Sequence, residues 1–235
     1  ITGAASGLGW ELAQQCFARG ERLLLVDRDA ALLAQREATL NDPTRVLSCV
    51  ADLSEASGIA ATLDAAQQLP QLDVLINNAG ITHRSLAGNT DPKVFRKVMA
   101  IDWQAPVELA VGLLPALRQQ RGCIINIGSM AGWMPVLGRA AYCSAKSALG
   151  QFFEVLRAED TLALLRDLFT WVVPPCLKYV RLHCTSFVKT SGVHLARQVM
   201  DILSCLLDPW RSESPPSLAQ TNTQLMSIFI FSITW

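Results

Sequence analysis

The sequence predicts an α/β fold with a doubly wound parallel sheet in a single domain. Over the first two-thirds of its 235 residues, short apolar runs alternate with helical patterns, which is the arrangement of βαβ units. The runs at 46–50, 74–77 and 123–127 are almost continuously apolar, as strands covered on both faces are. Right-handed crossovers between such strands give the doubly wound architecture.

Each element is predicted from its own pattern. Helical periodicity predicts helices at 10–19, 30–40, 57–68, 91–117, 142–159 and 197–207. Apolar runs predict strands at 22–26, 46–50, 74–77, 123–127 and 180–184. The stretch at 161–173 fits either helix or strand until Pro174 ends it, and the Ser- and Pro-rich stretch at 212–223 predicts a loop.

Composition excludes several classes of protein. Hydrophobic residues make up 51% and charged residues 17%, which excludes disorder, and 20 basic residues balance 20 acidic ones. A zero net charge gives no basis for nucleic-acid binding. The seven scattered cysteines are expected to be free thiols in a cytoplasmic protein, and no metal site is predicted. No segment has the length of a transmembrane helix. Because Ile1 falls where a strand is already ending, we expect residues to precede it.

A glycine-rich turn opens the chain, with the sequence TGAASGLG at residues 2–9, and leads directly into a helix. Glycines allow a backbone to turn tightly and to approach a pyrophosphate closely. The helix that follows offers free N–H groups and the positive end of its dipole to the anion. This GxxxGxG spacing indicates a nucleotide site, although a tight loop before a helix has the same pattern.

An acidic residue stands where nucleotide-binding turns commonly have one. Asp27 ends the next apolar run, 20 residues after Gly7. A carboxylate there accepts hydrogen bonds from the adenosine ribose, although an ordinary strand-end carboxylate also fits. Asp27 would repel the 2′-phosphate of NADP, whereas Arg28 is able to pair with it. NAD is therefore the predicted cofactor, with NADP as the alternative.

Tyr142 and Lys146 lie four residues apart in a predicted helix and share one face. A tyrosine hydroxyl has a pKa of about 10, which a nearby ammonium lowers by stabilising the phenolate. Such a pair makes a general acid/base, although an ordinary helix surface often has the same spacing. Ser129 follows the strand at 123–127, where its hydroxyl either holds a carbonyl oxygen or caps a turn.

Together these residues resemble the short-chain dehydrogenases/reductases. The resemblance runs from residue 1 to about residue 159, and weakly on to Thr190. Four motifs stand in the family's order: TGAASGLG at 2–9, NNAG at 77–80, Ser129, and YCSAK at 142–146. Asp52 and Leu53 match the family's adenine-contacting position. The resemblance implies a Rossmann-type dinucleotide-binding and catalytic domain at 1–190, followed by a divergent C-terminal segment at 191–235 that is part of the same domain or a substrate cap.

The resemblance also implies the role of each site residue. Tyr142 would deliver or remove the hydroxyl proton, Lys146 would lower the pKa of Tyr142 and hold the nicotinamide ribose, and Ser129 would orient the substrate oxygen. Asn77 would stabilise the central sheet. The implied cofactor site comprises Gly3, Ser6, Gly7, Leu8, Gly9, Asp27, Arg28, Asp52, Leu53, Asn78, Ala79, Gly80, Tyr142, Lys146 and Thr190.

One departure from the family falls at the fourth catalytic position, where asparagine is usual and this chain has Asp102. A carboxylate there would raise the pKa of Tyr142 and oppose Lys146. The alternative is that Asp102 points to solvent or pairs with Arg96 or Lys97.

A second departure lies after the Tyr–Lys helix. A long segment at 160–179 intervenes, and Thr185-Ser186 stands where the family has Pro-Gly. Thr190 still matches a threonine that contacts the nicotinamide amide in the family. Beyond it, the sequence fits no pattern that we can place.

Two functions from different classes follow. The first is an NAD(P)-dependent enzyme that interconverts an alcohol and a carbonyl in a small molecule. The second is a nucleotide-binding sensor or scaffold that has lost turnover, which Asp102 and the altered C-terminal part favour. The loops at 81–89 and 130–139 are expected to line the substrate pocket. Apolar helices at 91–117 and 142–159 predict a homodimer or homotetramer, because family members usually associate through the equivalent helices.

Overall fold

In a computed structural model, which describes residues 1–168 and 178–182, parallel strands alternate with helices. The strands are β1 (Leu23–Asp27), β2 (Val46–Val50), β3 (Val74–Asn77), β4 (Cys123–Ile127) and β5 (Lys178–Leu182). The α-helices are α1 (Gly7–Ala18), α2 (Ala30–Leu40), α3 (Ala56–Gln67), α4 (Pro92–Met99), α5 (Ala105–Gln119) and α6 (Ala140–Leu168). Short 3₁₀ turns lie at Ala87–Asn89 and Met130–Gly132, and a π-helical turn lies at Ala100–Gln104.

The start of the chain joins two groups of parallel strands. β1 pairs with β2, and β3, β4 and β5 lie side by side in that order. Between the groups, Thr2 pairs with Val26 of β1 and donates its N–H to the Ile76 carbonyl of β3 at 3.0 Å. From this segment the chain winds outward in both directions. The carboxyl ends of β1 and β3 therefore meet at a switch point, which is where parallel sheets bind ligands.

Helices cover both faces of the sheet. Leu25 of β1 packs in one core cluster with Leu12 of α1 and Leu33 of α2. Its neighbour Leu24 packs on the opposite face, in a cluster that includes Leu109 of α5. Because successive strand residues point to opposite faces, continuous apolar strands are required, and the doubly wound architecture is confirmed.

Local signals fix several helix ends. Asp29 caps α2 by accepting a hydrogen bond from the Leu32 N–H at 2.9 Å. Asp91 caps α4 in the same way, and the first residue of that helix is Pro92, which has no N–H to leave unsatisfied. Asn41 ends α2 in the left-handed conformation, with φ of +49°.

Most predicted elements have the expected positions. The bounds of α2, β2, β3 and β4 match the prediction. The single predicted helix at 91–117 is wrong, because the π-helical turn divides it into α4 and α5. The helix predicted at 142–159 extends to Leu168, and the strand predicted at 180–184 lies two residues earlier. The predicted elements at 197–207 and 212–223 lie outside the described residues.

Some features of the described residues bear on function. None of their helices is both long enough and apolar enough to span a membrane. Four of their cysteines are free thiols: Cys16, Cys49, Cys123 and Cys143. Within residues 1–168 and 178–182, no group of three or more His, Cys, Asp or Glu side chains is arranged to hold a metal ion.

Candidate functional site

The glycine-rich turn packs so closely on α1 that there is no room for a side chain at Gly9. Gly3 and Gly7 have φ values of +64° and +54°, a region that side chains disfavour. A Cβ on Gly9 would lie 2.0 Å from the Gly3 carbonyl oxygen. Ser6 is the N-cap of α1 and makes no side-chain capping bond to it, so the N–H groups of this first turn remain available to an anion.

Thr2 and Asn78 fasten the turn to the end of β3. The Thr2 hydroxyl accepts hydrogen bonds from the backbone N–H groups of Asn78 and Ala79, both at 3.0 Å. The Asn78 side chain donates to the carbonyl oxygens of Thr2 and Gly3, at 2.9 and 3.1 Å. The NNAG motif therefore holds the turn in place as well as lining the cleft beside it.

Asp27 fastens the other side of the turn. Its carboxylate accepts hydrogen bonds from the N–H of Ala5 at 3.0 Å and of Asp29 at 3.1 Å. Arg36 of α2 donates to the Ala5 carbonyl at 3.0 Å and lies 4.8 Å from the centre of the Trp10 ring. The carboxylate remains half-buried at the end of β1, so it can accept further hydrogen bonds from a ligand.

A cleft of about 290 Å³ opens at this switch point. Most of the predicted cofactor residues line it: Gly3, Ser6, Asp27, Arg28, Asp52, Leu53, Asn78, Ala79 and Gly80. The Asp52 carboxylate accepts hydrogen bonds from the side chain and backbone of Ser54, which lower its pKa. A larger cavity of about 490 Å³, between β1 and β3, is lined by none of the predicted site residues. The chemistry, rather than the volume, therefore identifies the site.

Lys146 brings the Tyr–Lys pair to the end of β4. Its ammonium is 6% exposed, donates to the Ile127 carbonyl at 3.1 Å, and lies 5.6 Å from the centre of the Tyr142 ring. Ser129 follows Ile127, and its hydroxyl accepts a hydrogen bond from the Ala131 N–H at 3.2 Å. The Ser129 hydroxyl therefore caps this turn as an acceptor, and its own proton is still available for donation. Ser147 of α6 donates to the Gly132 carbonyl at 2.6 Å, which fixes this turn to the helix.

Asp102 lies inside the protein. It is fully buried on the π-helical turn, where its Oδ1 accepts the Ile81 N–H at 2.7 Å and its Oδ2 lies 3.3 Å from Lys146 Nζ. The alternative of a solvent-facing Asp102 paired with Arg96 or Lys97 is therefore wrong. Burial raises the pKa of Asp102, and the Lys146 charge and the Ile81 N–H oppose that effect.

Two loops form a rim beside these groups. The Ser85 N–H donates to the Gly138 carbonyl at 3.0 Å, and the Arg139 side chain donates to the Thr82 hydroxyl. Several large apolar side chains on these loops are exposed: Leu86, Trp133, Met134 and Leu137.

The structure thus brings most of the predicted residues to one edge of the sheet, where they have different structural roles. Gly7, Leu8 and Gly9 shape the turn and start α1 without lining the cleft. Asn77 lies behind the cleft, where its amide donates to Asn126 at 2.8 Å and couples β3 to β4. Thr190 lies outside the described residues.

The predicted site residues did not include Thr2, Arg36, Asn126 or Ser147. Polar residues at strand ends and within apolar strands are the signal that could have identified Thr2 and Asn126. No such signal marks Arg36, which is half-buried on α2, or Ser147, which is exposed on α6.

Two protein-family models match different parts of the chain. A family model described as "short chain dehydrogenase" matches residues 1–162. A second model, described as "Dynein heavy chain AAA lid domain", matches residues 165–235, which is less than a third of the chain. The predicted domain boundary after residue 190 stays a prediction.

Curated relatives match the first part of the chain. "Dehydrogenase/reductase SDR family member 7B" of Bos taurus is 38% identical over 170 residues, which cover 68% of this chain and 52% of that protein. "11-beta-hydroxysteroid dehydrogenase A" of Sesamum indicum is 35% identical over 164 residues, covering 68% of this chain and 47% of that protein. The chain thus spans about half the length of these relatives.

Solved structures share the fold. A metagenomic short-chain oxidoreductase in complex with NADP superposes with a TM-score of 0.71 at 27% identity, covering 86% of this chain and 87% of that one. L-sorbose reductase from Gluconobacter frateurii, complexed with NADPH and L-sorbose, has a TM-score of 0.64 at 28% identity, covering 68% and 62%. Since the first family model covers more than half of the chain and the motifs lie where the fold requires them, this chain belongs to the short-chain dehydrogenase family.

Proposed function

We propose that the chain binds a nicotinamide dinucleotide in the 290 Å³ cleft and interconverts an alcohol and a carbonyl compound, with Tyr142 as general acid/base. The observation that carries the proposal is the position of Lys146. It is buried, held on the Ile127 carbonyl, and directed at the Tyr142 ring at the carboxyl end of β4. A cation so placed serves to stabilise tyrosinate, which the reaction requires.

The residues of the cleft fit a dinucleotide. The first turn of α1 offers backbone N–H groups to a pyrophosphate, and Gly3 and Gly7 leave room for the phosphates to approach the backbone. Asp27 offers its carboxylate to a ribose at one end of the cleft. Gly80 adjoins the Asp102–Lys146 pair at the other end, where the nicotinamide ribose would lie.

In the direction of reduction, Ser129 donates a hydrogen bond to the carbonyl oxygen of the substrate. Tyr142 then transfers its hydroxyl proton to that oxygen, and Lys146 stabilises the tyrosinate that remains. Oxidation reverses these proton movements. When bound, the nicotinamide supplies or accepts the hydride.

We propose that NAD is preferred to NADP. The Asp27 carboxylate accepts hydrogen bonds from the ribose hydroxyls of NAD and repels a 2′-phosphate. Arg28 also lines the cleft and favours NADP, the cofactor in the metagenomic oxidoreductase complex. The balance between these two side chains sets the preference.

We propose that the substrate is apolar around its reactive group and that the protein is a homodimer or homotetramer. The exposed rim formed by Leu86, Trp133 and Leu137 supports an apolar substrate. Val111 of α5 and Val155 of α6 are 55% and 44% exposed, and an interface along these helices would cover them. A monomer in light scattering at micromolar concentration would contradict this oligomeric state. Cytoplasmic location stays a prediction of the sequence.

The test combines cofactor binding with turnover by the purified full chain. We expect NADH and NADPH fluorescence to change on binding, and at least one member of a panel of apolar ketones and aldehydes to be reduced. Binding without turnover of any carbonyl or alcohol would instead support the sensor or scaffold. Failure to bind either dinucleotide would rule out both functions.

A further inference from the structure

The Asp102 carboxylate directly faces the lysine of the Tyr–Lys pair. Its Oδ2 lies 3.3 Å from Lys146 Nζ, and the side chains of the pair are 0% and 6% exposed. The Asp102 Oδ1 accepts the Ile81 N–H at 2.7 Å, which fixes the carboxylate against the turn after β3. Because water is excluded, the two charges act on each other and on their neighbours with little screening.

Lys146 contacts both other groups. Its Nζ lies 3.3 Å from the Asp102 carboxylate and 5.6 Å from the centre of the Tyr142 ring. An isolated ammonium would favour the tyrosinate strongly, whereas an ammonium paired with a carboxylate favours it less. The effect of Lys146 on Tyr142 is therefore set by Asp102.

Few other charges face Asp102 from the described residues. From α6 it faces Lys146, and from the turn after β3 it faces the Ile81 N–H. His83, further along that turn, packs against Phe95 of α4 at 6.3 Å between ring centres. Arg96 and Lys97 are exposed on the helix that precedes the π-helical turn.

We propose that Asp102 is a charge-balancing residue that positions Lys146 and keeps Tyr142 protonated at neutral pH, so that Tyr142 is ready to donate its proton in carbonyl reduction. In reduction, the Tyr142 O–H bond breaks as its proton forms the O–H bond of the alcohol, the hydride being the cofactor's, and water later returns the proton to the tyrosinate. A tyrosine that is already protonated is ready for this step. In oxidation, it must first lose its proton. The role of Tyr142 as proton donor rests on the proposed function, whereas its protonation does not.

The protonation of Tyr142 can be measured without turnover, because the chain has only two tyrosines, Tyr142 and Tyr179. In a Tyr179→Phe background, the ultraviolet absorbance of tyrosinate reports Tyr142 alone. We expect a midpoint close to the ordinary value of about 10. A midpoint below about 8 would overturn the proposal, and this measurement needs no change at Asp102.

Asp102→Asn in the same background removes the charge and keeps the shape. We expect the Tyr142 midpoint to fall by about 0.5–1 pH unit, because the Lys146 charge is no longer balanced. Glu108→Gln, which removes a charge from α5, should leave the midpoint unchanged. Asp102→Glu, which keeps the negative charge, should have a midpoint close to that of the wild type. A midpoint that is unchanged or raised in folded Asp102→Asn would overturn the proposal.

Turnover supplies the second readout. Asp102→Asn should move the basic-side transition of the pH profile of the oxidation kcat to lower pH by about the same 0.5–1 pH unit, following the shift in tyrosine protonation. If the wild-type chain turns over no substrate while the midpoints behave as expected, the proposed function fails and the charge balance stands. If turnover occurs and the midpoints do not move, the charge balance fails and the proposed function stands.

Discussion

The cofactor half and the proton-handling half of the site are built in different ways. The glycine-rich turn is held by hydrogen bonds between its backbone and the side chains of Asn78 and Asp27, and by the absence of side chains at Gly3 and Gly9. The proton-handling half depends on contacts between charged and titratable side chains of two elements, Asp102 of the π-helical turn and Tyr142 and Lys146 of α6. Steric requirements can be recognised from a short stretch of sequence. A contact between charged side chains forms only after the chain has folded, and one substitution can remove a charge while keeping the shape of the side chain.

Removal of the Tyr142 hydroxyl should separate the two halves most sharply. We expect Tyr142→Phe to lower kcat by about 10²–10⁴-fold, because the proton donor is lost. The dissociation constants of NADH and NADPH, measured by fluorescence, should stay within about twofold, since the Gly-rich turn is untouched. A rate close to that of the wild type would remove Tyr142 from the role of general acid.

The reverse separation comes from Gly9→Ala. Its Cβ would lie 2.0 Å from the Gly3 carbonyl oxygen, so the turn and α1 must move apart. We expect the free energy of unfolding in urea to fall by at least about 2 kcal/mol, and dinucleotide affinity to fall with it. Gly88→Ala is the control, because its Cβ would meet no atom within 4 Å. Equal stability of the two variants would show that the close approach at Gly9 is not required.

Cofactor preference tests charge within the cofactor half. Asp27→Asn keeps an acceptor for the Ala5 N–H and removes the negative charge at the ribose end of the cleft. We expect the ratio of kcat/KM for NADPH over NADH to rise about tenfold, or 1.4 kcal/mol. Asp29→Asn removes the same charge two residues away and retains a good helix cap, so its ratio should stay that of the wild type. An unchanged ratio in Asp27→Asn would assign the preference to other residues.

The smallest effect is expected at the edge of the cleft. The hydrogen bonds from Ser54 hold the pKa of Asp52 below its ordinary value of 3.8, so they favour the folded state when the carboxylate is charged. At pH 7, Asp52→Asn should lower the free energy of unfolding by less than about 1 kcal/mol. That difference should disappear as the pH falls below 3.8 and wild-type Asp52 takes up a proton. A difference in the free energy of unfolding that does not change with pH would show that protonation of Asp52 is not its cause. Asp64→Asn, at an exposed residue, serves as the control.

Much of this architecture could be predicted from sequence because local physics determines it. β3 and β4 are short and largely apolar, and one residue more at either end is polar or a turn former. The end of α6 could not be located, because the residues after 159 fit helix and strand equally well. The π-helical turn was missed although Pro106, two residues after it, is of a type that interrupts helical hydrogen bonding.

The site divides along the same line. The turn and Asp27 could be recognised from spacing, and the cleft holds them as expected. The burial of Asp102 could not be foreseen, since its neighbours Arg96 and Lys97 offered nearby partners of the right charge. Its actual partner, Lys146, comes from a different helix, and the third contact is a backbone N–H that no sequence pattern reports.

The π-helical turn at Ala100–Gln104 sets the rotation of α5 about the helix axis relative to α4. Each residue of an α-helix advances the side-chain direction by about 100°, so a turn with one extra residue offsets everything that follows by that angle. Val98 of α4 and Leu109 of α5 thereby reach separate core clusters, while Asp102 turns inward between them. Deletion of a single residue here would give a continuous helix in which the carboxylate and α5 no longer share the inward side. Chain length at this point thus controls chemistry in the way that side-chain identity does elsewhere.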